Sequence, residues 1–132
     1  MSSHSYDYSR DYLPSAPIVD LQVFSYDTTI QPIQVSAFID SGADGTMVPI
    51  NILRSLNAQH VGQKLMRGVI NDVSLINLYL VKMSIGDITI QGVEAVALPD
   101  SSECILGRDV LNQLQVTLDG LGAEVRIWDY ND

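Results

Sequence analysis

From Ile18 onward apolar residues recur at every second position, and this period constrains the fold more than any other feature of the chain. Val19, Leu21 and Val23 alternate with Asp20 and Gln22, and Ile33, Val35, Ala37 and Ile39 repeat the pattern. Such alternation places one face of an extended chain in a core and the other in water. Tyr26-Asp27-Thr28-Thr29 reads as the connection between these two runs. Leu78, Leu80 and Val81 lead into Ile85-Gly86-Asp87-Ile88, a hairpin-like turn, and Thr89 to Leu98 continues as strand. Val116 to Leu118 and Val125 to Trp128 flank Asp119-Gly120-Leu121-Gly122, a second hairpin signal. Short strands joined by glycine-containing turns predict an all-β barrel or sandwich. Two short helices interrupt the pattern. Pro49 to Leu56 has proline at the first helical position, and Asp109 to Leu114 has Asp109 at the N-cap, followed by Val110, Leu111 and Leu114 at helical spacing.

The 132 residues suit one domain with a sizeable core, and 46% hydrophobic content fits a globular chain. Lys plus Arg number 7 against 16 Asp plus Glu, a formal charge of -9. That balance opposes nucleic acid and anionic membrane surfaces as partners, since both attract basic patches. The single cysteine, Cys104, excludes an intrachain disulfide and sits beside Ile105 and Leu106, as a small buried hydrophobe would. His4 and His60 lack ligand spacing, so no metal site is expected. Val73 to Val81 is broken by Ser74 and Asn77 and falls short of the ~20 apolar residues of a membrane span. With no targeting segment evident, the expected location is cytoplasmic. Residues 1–17, rich in Ser and Tyr and without a period, are expected to form a flexible N-terminal tail.

The run that ends at Ile39 delivers Asp40 onto a Ser41-Gly42 turn. A carboxylate at the end of a buried strand is costly unless it is hydrogen-bonded or paired. A glycine two residues later suits a turn in which backbone approaches other groups closely. The surrounding segment, Phe38-Ile39-Asp40-Ser41-Gly42-Ala43-Asp44, resembles the active-site motif of retropepsin-like aspartic proteases. Asp-Ser-Gly alone recurs in many unrelated proteins. A second segment, Ile105-Leu106-Gly107-Arg108-Asp109-Val110-Leu111, is similar to one that follows the active-site motif in that family, and the order is correct. Residues 66–73, Met-Arg-Gly-Val-Ile-Asn-Asp-Val, fall where the family has its flap hairpin.

The resemblance implies a closed β-barrel, half of a pepsin-like fold, with one or two short helices and spanning residues 18–132. It implies an aspartic endopeptidase that needs no cofactor and acts on peptide or protein substrates. Asp40 takes the catalytic position. Ser41, Gly42, Ala43, Asp44 and Arg108 support its loop, with Asp44 and Arg108 as an ion pair. Gly68, Val69 and Ile70 belong to the flap, which is poorer in glycine than in retroviral relatives. Gly45 stands where relatives often carry a side chain that contacts substrate. Metal-free amide hydrolysis needs one group to activate water and one to protonate substrate. Two carboxylates about 3 Å apart, sharing a proton, do both. No second Asp-Thr/Ser-Gly occurs in the chain, so the resemblance requires a C2 homodimer that pairs Asp40 with its own copy. Val125, Ile127 and Trp128 would then form an interface sheet, the favoured expectation, or fold back as an intrachain hairpin. Two further expectations are self-trimming of residues 1–17 and, as the alternative to catalysis, a peptide-binding or dimerisation module that keeps the fold.

Overall fold

The computed structural model describes residues 2–67 and 72–129. A six-strand barrel forms its centre. The strands β2 (Ile18–Phe24), β3 (Ile33–Ile39), β4 (Met47–Pro49), β6 (Val73–Ile85), β7 (Ile88–Leu98) and β8 (Cys104–Leu106) run in the order β2-β3-β8-β4-β7-β6. Pairing of Gln22, Val23 and Phe24 with Ser84, Met83 and Lys82 joins β2 to β6 and closes the barrel. Strand β5 (Gln59–Arg67) adds to the outer half of β6 as a long antiparallel arm. The period-two residues fill the interior: Val19 is 1% exposed, and Leu21 and Val23 are fully buried together with Val81, Met83 and Ile85. The turn at Gly86-Asp87 is a two-residue hairpin, Ile85 opposite Ile88, and Gly86 takes a φ of +57°, which glycine tolerates without strain.

Helix α1 (Ile50–Ser55) starts one residue later than expected, with Pro49 at its N-cap rather than at the first helical position. Helix α2 (Arg108–Leu111) is shorter than the sequence predicts and starts two residues earlier, with Gly107 rather than Asp109 at the N-cap. Asp109 is drawn inside because its carboxylate serves the neighbouring loop, as described below. Cys104 lies on β8 opposite Ala37, and burial pushes its thiol pKa up to about 12, so it is an inert core group.

The chain ends depart most from expectation. Residues 2–7, expected within a flexible tail, form β1 (Ser2–Asp7). Strand β1 pairs with β10 (Glu124–Asp129), which pairs in turn with β9 (Gln115–Asp119), in the order β1-β10-β9. The C-terminal segment is therefore an intrachain hairpin, and β10 has neighbours on both edges. The favoured expectation of an interface sheet from Val125, Ile127 and Trp128 is corrected accordingly. Val125 and Ile127 are fully buried, with Tyr6 and Tyr8 packed against the same core. Polar residues at alternate positions of β1 hid its period. The partner strand supplies the apolar surface that makes it a strand.

Candidate active site

Three segments meet at one end of the barrel: the loop after β3, the start of β4 and the β8–α2 junction. Strands β3 and β8 run parallel with Ile39 opposite Leu106, and the Asp40 amide donates to the Leu106 carbonyl at 3.1 Å. This pairing brings the two sequence motifs side by side. Asp40 is half-buried. Its Oδ1 accepts the Gly42 amide at 2.9 Å, and its carbonyl accepts the Ala43 amide at 3.2 Å. The carboxylate is thus held by its own turn, and a Cβ at Gly42 would come within 3.1 Å of Oδ1.

The loop is clamped from the helix side. The Arg108 amide donates to the Ala43 carbonyl at 2.9 Å. The Arg108 guanidinium donates to the Ser41 carbonyl at 2.7 Å and pairs with the Asp44 carboxylate. The expected Asp44–Arg108 pair is therefore formed. Its side chains are 84% and 43% exposed within the single chain, so the charge attraction itself is worth only ~0–1 kcal/mol there. Its effect is positional, since the planar fork spans Ser41 and Asp44 together. Ser41 is exposed, and its hydroxyl has no hydrogen-bond partner among the described residues.

Thr46, which the sequence reading passed over, is the buried centre of this clamp. It is fully buried, accepts the Gly107 amide at 3.1 Å and donates to Asp109 Oδ1 at 2.8 Å. Asp109 Oδ1 also accepts the Val110 amide at 2.9 Å. Gly107 itself lies against the loop, where a Cβ would sit 2.5 Å from the Gly45 backbone. The available signal for Thr46 was a hydroxyl residue placed between Gly45 and an apolar strand.

A groove of about 500 Å³ runs beside the Asp40 loop, between residues 42–45 and residues 64–67 of β5, with Met47 and Val96 at its base. Strands β5 and β6 remain paired as far as Arg67 and Val73. The flap residues Gly68, Val69 and Ile70 lie outside the described residues. No group of three or more metal-ligating side chains is found among the described residues.

The family described as "gag-polyprotein putative aspartyl protease" matches residues 26–113. The chain belongs to this retropepsin-like aspartic protease family. The retropepsin-like barrel is similar to a retropepsin-like aspartic protease from Rickettsia conorii, with 12% identity, a TM-score of 0.64, and 96% of this chain and 90% of that one covered. It is also similar to EIAV protease complexed with the inhibitor HBY-793, with 17% identity and a TM-score of 0.58, covering 81% of this chain and 92% of that one. No curated protein matches the chain significantly. At these identities the solved structures speak for the fold. No helix among the described residues of this retropepsin-like chain is long and apolar enough to cross a membrane.

Proposed function

We propose that this retropepsin-like protein is an aspartic endopeptidase whose active unit is a C2 homodimer. The observation that carries this reading is a single Asp40 carboxylate, oriented by the Gly42 amide on a loop clamped by Arg108, in a family of aspartyl proteases. One carboxylate is half of the required chemistry, and the other half is Asp40 of the second copy. With one proton shared, the ionised member takes a proton from water as the water attacks the peptide carbonyl. The protonated member donates toward substrate. The apparent pKa values belong to the pair. Ser41, exposed within one chain, meets its counterpart across the axis and holds the two loops together. No cofactor takes part.

The test is a fluorogenic peptide library from pH 3.5 to 7, with and without a pepstatin-type transition-state analogue. Cleavage that the analogue blocks and that Asp40→Asn abolishes, with dimer mass retained by light scattering, is the expected result. Cleavage surviving in Asp40→Asn overturns the assignment. A sound dimer that cuts nothing at any pH points instead to a peptide-binding module.

A further inference from the structure

The groove beside Asp40 carries charge that peptide hydrolysis does not require. Lys64, on β5, is exposed, and its ammonium lies over Gly45, where a Cβ would approach Nζ to 3.3 Å. Arg67 lines the same groove. Neither side chain makes an ion pair or hydrogen bond among the described residues. The chain has only 7 Lys and Arg against 16 acids, yet two unpaired cations face the groove that touches the active-site loop. The acids nearby are occupied or set aside. Asp44 is held by Arg108, Asp109 by the Thr46 hydroxyl and the Val110 amide, and Glu94, lining the adjoining hollow, makes no ion pair with Lys64. Glycine at 45 leaves the ammonium with space in front of it and contributes no side chain there.

We propose that Lys64 is a specificity determinant that selects peptides with a carboxylate side chain seated in this groove beside the scissile bond. The inference rests on the peptidase reading. A glutamate there forms a charge-assisted hydrogen bond with the ammonium, while a glutamine of the same shape forms a weaker one. The net charge of -9 repels acidic peptides as a whole. A preference for glutamate therefore has to arise locally, within the Debye length of about 8 Å at physiological salt.

Matched peptides with Glu or Gln at each position flanking the cut would be assayed at pH 6, where peptide glutamate is ionised, in 0.15 M salt. One position is expected to show about a five- to tenfold higher kcat/KM for Glu. That ratio should fall to about one in Lys64→Met and turn toward Lys-bearing peptides in Lys64→Glu. Lys64 is exposed, so both variants are expected to fold. Binding of the same labelled pairs to Asp40→Asn, read by fluorescence anisotropy, separates the two readings. If nothing is cleaved but Glu peptides still bind more tightly through Lys64, the peptidase reading fails and the carboxylate site stands. Equal ratios at every position, ratios unchanged in Lys64→Met, or no binding of any pair overturn the inference.

Discussion

At the scale of single residues, the clamp on the Asp40 loop depends on groups with little freedom to change. Removing the Thr46 hydroxyl leaves the buried Gly107 amide unsatisfied and takes one hydrogen bond from Asp109. Thr46→Val should therefore lose about 1–3 kcal/mol in urea denaturation, and Thr46→Ser much less. Equal stabilities for the three proteins would refute the role given to the hydroxyl. Two neighbouring glycines make a contrast. A methyl at Gly107 meets backbone at 2.5 Å, whereas at Gly45 its nearest neighbour is the flexible end of Lys64 at 3.3 Å. Gly107→Ala should cost about 1–3 kcal/mol by overpacking, while Gly45→Ala stays near neutral. The thermal midpoints of the two variants decide the point. Asp40, Asp44 and Arg108 were legible in the sequence because the motifs name them. Thr46 was not, because its role exists only once β8 and the loop are adjacent.

At the scale of elements, β1 is the instructive case. Besides its ladder with β10, it is fastened by side chains to the β6–β7 turn. The His4 Nε2 lies 2.6 Å from Asp87 Oδ1, and the Ser2 hydroxyl donates to Asp87 Oδ2 at 3.0 Å. These bonds, that from His4 first, hold the Asp87 carboxyl below its ordinary value of 3.8. A depressed folded-state pKa means that this contribution to stability is present above about pH 4 and is lost as pH falls below that, through the folded value. The strand should thus stay fastened at mildly acid pH. Hydrogen-exchange protection of residues 2–7, measured against the intrinsic rate at each pH, should be high at pH 5 and fall below pH 4, and in Asp87→Asn it should be low at both. Indifference of those amides to the substitution would show that the ladder alone holds β1. This fastening also bears on self-trimming, since a strand inside a sheet must leave it before entering a cleft. The hairpin turns at 86–87 and 120–123 were readable from glycine placement. The strand at residues 2–7 was not, because its apolar contacts come from β10.

At the scale of the whole molecule, the chain is half of the active site proposed for it, which gives a test that needs no structure of the dimer. When wild type and Asp40→Asn are mixed in varying ratio at constant total protein and allowed to exchange subunits, activity should fall as the square of the wild-type fraction, because a mixed pair has only one normal aspartate. A linear dependence would mean that a single chain suffices. Both edges of β10 are used within the chain, so an intersubunit sheet, if formed, has to use other strands. The sequence by itself determined the β class, the family, the motif that contains Asp40 and the arginine that braces its loop. Each of these follows from local period or from residues contiguous in the chain. Tertiary structure alone decided that the N-terminal residues are a strand, that the C-terminal segment folds back on its own chain, that Thr46 anchors the loop and that Lys64 stands over Gly45. These facts depend on which distant segments become neighbours, and burial and hydrogen-bond satisfaction settle that only when the barrel closes.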